Sequence, residues 1–391
     1  MINIVDKAKC TGCSACFNIC NKNAIYFETD SEGFVYPKVN MEKCVDCSLC
    51  EKVCPLINSV DTSKNYEKPI IKAAWNLDEE IRINSTSGGV FSALADKFLD
   101  EGGYVVGAEY TEDFGIQHTV ISSKEQIKKL RQSKYAQSNL NDVFTQIKEL
   151  LKNNERVLFC GTPCQSAGLK NYLMKEYDNL FIVDFICRGI VNQKIYKKYL
   201  ESVEKHSGSK ISKVHFKNKD FGWNRFSTKL SLKNGNSYHK DRYNDEYMIG
   251  YLKHNLYLRP CCHECKFKTL PRVSDISLGD FWGIGNSKKE LDNDKGTSVV
   301  IINSDKGKKY FETATDVLYS ENSTLEQVTK GNACLFNIVP KGKYREYFFK
   351  KADKMDFIDL IHKIESKDYY SKLNYKEKIY YIVKEKMKLW Q

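Results

Sequence analysis

Three cysteines stand within five positions of the stretch RPCCHECKFK (259–268): Cys261, Cys262 and Cys265. Three thiols are one too few for a tetrahedral metal site. A single C-x-x-C pair serves equally as a redox disulfide, half of a zinc site or half of an iron–sulfur site. The completing residues must come from elsewhere among the fifteen cysteines of this 391-residue chain. Two denser runs lie near its start. CTGCSACFNIC supplies Cys10, Cys13, Cys16 and Cys20, and CVDCSLCEKVCP supplies Cys44, Cys47, Cys50 and Cys54. Both have the spacing C-x2-C-x2-C-x3-C, the second followed by Pro55. Structural zinc prefers paired knuckles to a four-cysteine run, whereas this spacing wraps three thiolates around a cubane corner and aims the fourth elsewhere.

The repeat resembles the bacterial two-cluster ferredoxin. That resemblance implies one [4Fe–4S] cluster on Cys10, Cys13, Cys16 and Cys54 and another on Cys44, Cys47, Cys50 and Cys20. Asn21 stands where the family usually has a proline, which costs turn rigidity but no ligand. Between the runs, AIYFETDSEGFVYPKV reads as a hairpin around Glu32-Gly33. Clusters ligated wholly by cysteine have no open coordination position, so they pass electrons to something downstream.

The elements that hold the remaining cysteines are legible in part. Residues 59–72, SVDTSKNYEKPIIK, are polar and read as a linker. RVLFC (156–160) is a short apolar strand, and GTPCQSAGLKNYLMKEY turns from it into a helix. Pro163 suits the first helical position, which puts Cys164 in the first turn, where the helix dipole favours a thiolate. NLFIVDFICRG (179–189) is a second buried strand, ending at Cys187. Strand, helix and strand in so short a span make a βαβ unit with parallel strands, whose carboxyl ends share one edge of the sheet. Cys164 and Cys187 are therefore expected near each other. Together with Cys262 and Cys265 they make a four-thiolate set, although chain order alone permits other pairings.

Five segments occur in order over residues 73–285: STSGGVFSALADKFLDEGGYVVGAEY, LRQSKYAQS, VLFCGTPCQSAGLK, VDFICRG and LRPCCHECKFKTLPRVSDISLGDFWGIG. They resemble the coenzyme F420 hydrogenase/dehydrogenase beta-subunit family, in the bacterial form that carries an N-terminal ferredoxin. The resemblance implies FAD and a third [4Fe–4S] cluster, held by Cys164, Cys187, Cys262 and Cys265. Cys160 and Cys261 stand where the family has small residues, often serine, and are read as non-ligands, with Cys334 a spare thiol. Ser85, Thr86, Ser87, Gly88 and Gly89 open a helix. By themselves they read as an ordinary cap, and by resemblance they are a flavin-binding turn. Lys134 is otherwise one lysine among many. The matching segment makes it the cation beside the flavin and the one candidate catalytic group. Asp275 and Asp280 order the loop after the cysteines or bond a flavin or substrate group. Residues 219–235 look like a hairpin arm, with Trp223 and Phe226 as lid aromatics or, more simply, core rings.

The expected fold is α+β: a two-cluster ferredoxin-like domain (1–58), the linker, and a mixed α/β flavin and iron–sulfur domain. That domain is read as an N-terminal lobe (73–155) and a C-terminal lobe holding the third cluster (156–330), followed by a basic, mainly helical tail (331–391). The formal charge is +11. Residues 1–58 hold six lysines against seven acids, and residues 341–391 fourteen Lys/Arg against eight acids. In the tail, Tyr375, Ile379, Val383, Met387 and Trp390 share one helical stripe, which suits internal packing first and weak contact with an anionic membrane surface second. No apolar run is long enough to span a bilayer, and MINIVDKAKC lacks a signal-peptide core, so a cytoplasmic protein with reduced thiols is expected.

The leading expectation is an oxidoreductase. It would take electrons from reduced ferredoxin or another low-potential donor through the clusters to FAD, and pass them to a small organic acceptor or the reverse. The alternatives are a non-catalytic relay subunit and a protein acting on the deazaflavin coenzyme F420. A zinc-dependent nucleic-acid binder is set aside on the cysteine spacing. GTPCQ has no nearby histidine to make a hydrolase, and GDFWGIG lacks the strand and helix of a dinucleotide fingerprint.

Overall fold

The computed structural model describes residues 1–372 and Glu377. Its N-terminal part is built on the hairpin β1 (Ile25–Thr29) and β2 (Val35–Val39), paired from Ile25↔Val39 to Thr29↔Val35. The turn is closed by Asp30, whose carboxylate accepts from the backbone N–H of Glu32 and Phe34. The short helices Ala15–Ile19 and Leu49–Lys52 flank it, each entered through a left-handed serine, Ser14 or Ser48. The cysteine repeat is thus also a repeat of backbone conformation.

The next strand, β3 (Asn65–Asn76), corrects the linker expected at 59–72, which ends at about residue 64. Ile71, Ala73 and Ala74 are buried because partners flank β3 on both sides, and that context outweighs the polar residues around them. The strands that follow are β4 (Tyr104–Tyr110), β5 (Ile116–Ile121), β6 (Val157–Cys160), β7 (Leu180–Phe185), β8 (Ile211–Asn218), β9 (Ser227–Leu232), β10 (Ser237–Asp241), β11 (Ile276–Asp280), β12 (Ser298–Ser304) and β13 (Leu318–Asn322). One sheet has the order β13-β3-β12-β11-β7-β6-β4-β5. Its centre, β11-β7-β6-β4, is parallel, and antiparallel pairs close both edges. The two lobes expected at 73–155 and 156–330 therefore share a single sheet. The βαβ unit reads as expected, with Val157↔Leu180 through Cys160↔Val183 in register around the helix Pro163–Leu173.

Alternate residues of the sheet face opposite ways. Leu158, Phe181, Val300 and Ile302 pack under the helices Val90–Asp100 and Asp305–Glu312. Val157, Phe159 and Ile182 pack under the helices Val143–Lys152 and Pro163–Leu173. Cys13, Ala15 and Val53 of the N-terminal part join this second layer. A separate core unites the sheet β10-β9-β8, the helix Gln193–Ser207 and the helices Arg345–Ala352 and Phe357–Lys372. As far as residue 372 the C-terminal segment is helical as expected, and its last helix packs into this core, with Phe357, Leu360, Ile361 and Ile364 buried at helical spacing. The stripe from Tyr375 to Trp390 lies outside the described residues. No described helix is long and apolar enough to cross a membrane.

Leu360 is completely buried. Leu360→Ala should cost about 2–5 kcal/mol of stability, seen as a lower thermal midpoint of the purified chain.

Candidate functional site

Three groups of thiols form in the structure, and all fifteen cysteines are free. Cys10, Cys13, Cys16 and Cys54 lie close enough to repel one another's negative charge. Cys20, Cys44, Cys47 and Cys50 line one small hollow at the outer end of the N-terminal part, where Cys47 is exposed. Backbone N–H groups already point at sulfur there, from Ile2 to Cys50 Sγ at 3.2 Å and from Ala24 to Cys20 Sγ at 3.4 Å. Each group thus draws three thiols from one run and the last from the other.

Cys164, Cys187, Cys262 and Cys265 line a hollow of about 70 Å³. Thr162 caps the helix Pro163–Leu173 in a reciprocal capping box with Gln165, which presents Cys164 in the first turn. Cys187 follows β7, and the other two come from the single turn Pro260–Glu264 and the residue after it. Cys261 and Cys334 also lie on the wall. The neighbouring thiols Cys261 and Cys262 differ. A hydrogen bond from Cys261, helped by the Ile190 N–H at 3.4 Å, draws the Cys262 thiol down, whereas donating that bond pushes Cys261 up. Burial pushes the Cys13 and Cys187 thiols up to about 12 and Cys164 well above its ordinary value. Such thiols ionise readily only when a cation replaces the proton, which suits a metal cluster.

The first group roofs the third. Ala8, Lys9, Thr11 and Leu56 close the hollow from the N-terminal side, and Lys9 pairs with Glu264 at 2.9 Å. The two parts meet this closely because of Gly168, where a Cβ would come within 2.9 Å of Cys13 Sγ. Buried polar groups lock the contact: Arg259 bonds to Cys10 O at 2.8 Å, and Arg345 pairs with Glu32. Gln137 bonds to Gly12 O at 3.1 Å.

Behind the third group lies a cavity of about 550 Å³ between the carboxyl ends of the parallel strands and the sheet β10-β9-β8. Cys164 and Cys187 belong to both walls. Ser85, Thr86, Ser87, Gly89, Lys134 and Asp280 line it. Gly88 does not: its N–H donates to Ser298 Oγ, and a Cβ there would meet the Ala74 carbonyl at 2.4 Å. Asp275 sits at the opposite end of β11, accepting from Ile182 N at 2.9 Å and Ser304 Oγ at 2.7 Å, so it orders the sheet rather than the cavity. The serines and threonine do not cap the helix Val90–Asp100; Gly89, at φ +83°, does so without any side chain. Trp223 is a buried core ring, and Phe226, also buried, lines the cavity wall. Trp223 Nε1 donates to Asp280 Oδ1 at 2.7 Å while Lys217 holds Oδ2 at 2.9 Å.

Lys134 directs its ammonium at three carbonyls, those of Lys129, Arg131 and Gln132, so it also braces the loop that carries it. Burial pushes it down to about 7. Sequence reasoning missed Arg131, Arg188, Lys217, Arg242 and Trp282 on the walls. Arg131 and Arg188 were within reach, inside LRQSKYAQS and VDFICRG. Trp282 was too, inside the segment ending in GDFWGIG, whereas Lys217 and Arg242 come from the β8–β10 arm, whose fold over the cavity has no local signature. His118 is a further wall residue, held between Ser138 Oγ and Cys160 O and pushed down to about 4 by burial, hence neutral at pH 7.

The comparisons with known proteins bear directly on this arrangement. Residues 71–145 match the N-terminal model, and 154–328 the C-terminal model, of the coenzyme F420 hydrogenase/dehydrogenase beta subunit. The chain belongs to that family. Residues 9–56 match a 4Fe-4S dicluster domain. An uncharacterized protein of Methanocaldococcus jannaschii is 26% identical over 362 residues, covering 83% of this chain and 92% of the relative. The coenzyme F420-dependent sulfite reductase of the same organism is 27% identical over 173 residues, covering 43% of this chain and 26% of that protein. An uncharacterized ferredoxin, also from that organism, is 36% identical over 68 residues, which is 16% of this chain and 87% of the ferredoxin. Among solved structures, a chain of the F420-reducing [NiFe] hydrogenase complex from Methanosarcina barkeri aligns at TM-score 0.45 and 20% identity, covering 77% of this chain and 92% of that one. The protein is thus an iron–sulfur member of a redox family with an electron-transfer role.

The thiol groups generate a metal-content prediction. An anaerobic preparation should hold about twelve irons per chain, at four per group. Cys262→Ser should remove about four of them, and Cys261→Ser none, by iron assay on folded protein. Equal losses would reverse the reading of which neighbour is the ligand.

Proposed function

We propose that the chain is a flavin-dependent iron–sulfur oxidoreductase, with [4Fe–4S] clusters on the three thiol groups and FAD in the large cavity. When bound, the clusters would carry single electrons and the flavin would exchange them as a hydride equivalent with a small organic acceptor. The observation that carries this reading is the shared wall. Cys164 and Cys187 border both the third thiol group and a cavity whose volume falls in the range of cofactor sites. A relay alone has no use for such a cavity.

The wall chemistry supports an anionic, partly aromatic guest. Arg131, Lys134, Arg188 and Arg242 have no ion-pair partner among the described residues, whereas Lys217 is matched by Asp280. The Nε atoms of Arg188 and Arg242 are buried with no hydrogen-bond partner among the described residues. A dinucleotide cofactor brings two phosphates and a ring system to such a surface. Trp282, stacked on Trp223 at 4.7 Å, gives the arm a flat apolar side. Lys134 contributes a nearby charge; with its own donors engaged, it would act through its field rather than a direct bond. On the donor side, the exposed thiol group at Cys47 supports delivery by ferredoxin or a similar low-potential protein. The likeness to a coenzyme F420-dependent enzyme makes deazaflavin one acceptor class to assay beside simple organic acids.

Anaerobically purified, cluster-loaded chain should retain FAD near one per chain, released by acid and read by its absorbance. A chain with full iron that neither retains nor rebinds flavin would leave only the relay role. In a flavin-loaded chain, Lys134→Met should lower the flavin midpoint potential, because a positive charge near the ring favours the reduced anion. That effect should fade as pH rises through about 7, where the native ammonium itself loses its proton. An unshifted potential at pH 6 would confine Lys134 to bracing its loop.

A further inference from the structure

Arg259 is completely buried where the N-terminal part meets the rest of the chain. Its Nε donates to Cys10 O at 2.8 Å, Nη1 to Gln137 Oε1 at 3.0 Å and Nη2 to Val35 O at 2.9 Å. Nη2 also lies 3.6 Å from Cys10 Sγ. The ring of Tyr36 stacks 4.4 Å from its Cζ and Phe34 lies on the other aromatic contact at 5.5 Å. No carboxylate pairs with it among the described residues. An arginine so fully removed from water, held only by neutral oxygens, rings and a cysteine sulfur, is costly unless an anion stands beside it. Cys10 offers that anion once it binds iron as a thiolate. The same residue reaches the other side through its backbone: its N–H donates to Ile190 O at 2.8 Å, and its carbonyl accepts from Cys262 N at 2.9 Å. Arg259 therefore touches a member of the first thiol group with its side chain and fixes a member of the third with its main chain.

We infer that Arg259 sets the reduction potential of the cluster on Cys10, Cys13, Cys16 and Cys54, raising it so that a single electron is favoured at the inner edge of the ferredoxin-like part. Reduction adds one electron and no proton to a group of anionic ligands. A fixed positive charge at the sulfur, in surroundings without water, stabilises that extra negative charge, as does a hydrogen bond to the thiolate. The outer group has no equivalent among the described residues. Lys22 on its rim is exposed, and the N-terminal amine is partly exposed and matched by Asp46 and Glu51. Water and the acids screen both charges. The two clusters of an internally repeated domain are thereby made unequal by a residue contributed from outside it. The inference rests on the iron–sulfur reading of residues 9–56 and needs neither FAD nor the third cluster.

The test is a mediated anaerobic redox titration of the full chain, poised with dithionite and followed by electron paramagnetic resonance. In Arg259→Gln, one of the two ferredoxin-domain signals should move to lower potential. Its reduced-to-oxidised ratio at a fixed poise should fall at least tenfold, about 59 mV for a one-electron couple. The other signal should stay in place and the iron content should be unchanged. Arg259→Lys, which keeps the charge but withdraws it from the sulfur, should show a smaller shift of the same sign. Arg345→Met breaks the other buried arginine contact to the N-terminal part, at Glu32, without approaching a cysteine, and should shift neither signal. Unshifted signals in an iron-replete Arg259→Gln chain would overturn the inference, as would equal shifts in Arg259→Gln and Arg345→Met, which would reduce Arg259 to a docking contact. If the glutamine variant does not accumulate, the lysine variant decides by the same criterion. A chain that lacks flavin yet shows the shift would fail the oxidoreductase proposal and uphold this one.

Discussion

Asp184 and Arg272 meet in an ion pair, Oδ1 to Nη2 at 3.0 Å, with neither side chain more than 3% exposed. Asp184 lies on β7, three residues before Cys187, and Arg272 lies in the loop that runs from Cys265 to β11. The guanidinium is also tied to Ser277 Oγ and to Phe267 O, each at 3.0 Å. The loop bearing two thiols is thus nailed to the strand that leads to a third. Removing either charge alone would strand the other in the interior, at a cost of about 3–5 kcal/mol. The contact joins the segment after Cys265 to the strand that ends at Cys187, on the shared side of the third thiol group and the cavity.

Around that anchor the architecture is economical in its use of one edge. The parallel strands β6, β7 and β11 deliver Cys160, Cys187 and Asp280 to the same side, and the helix between β6 and β7 adds Cys164 at its start. The sheet β10-β9-β8 and its helices form a second core facing that edge, joined to the main sheet through Ile116 of β5, and the large cavity lies between them. Residues with opposite duties then sit side by side. Lys217 and Trp223 immobilise Asp280, while Arg242 nearby keeps an unused Nε. The one wall carboxylate bound to a lysine is thus neutralised, while the wall arginines keep their charge without an ion-pair partner among the described residues.

Much of this was readable in the chain because it is local. A C-x2-C-x2-C-x3-C run states its own geometry, and a strand ending in GTPC announces a helix start. The long-range groups carried no such signal. Ile70 and Ile71 looked like part of a polar linker, because nothing nearby in sequence reveals that β12 will pair with them. Gly89 replaced the expected serine and threonine caps since its left-handed backbone closes the helix unaided. Asp275 and Asp280 stand five residues apart and looked alike, yet a strand lies between them and sends them to opposite ends of the sheet. Lys217, Arg242 and Arg259 are surface-type residues by composition. Only tertiary packing distinguishes them from the other lysines and arginines in a chain so rich in both.

The glycine at position 168 lets the N-terminal part rest directly on the helix that carries Cys164, and Arg345 and Lys9 hold it there. That part is consequently built in, not tethered. Exchange between the first and third thiol groups would be a first-order event, indifferent to dilution and to how much free ferredoxin is present. The covered side of the third group is likewise closed to competitors. The outer thiol group, with Cys47 exposed, is the one left facing away from this contact.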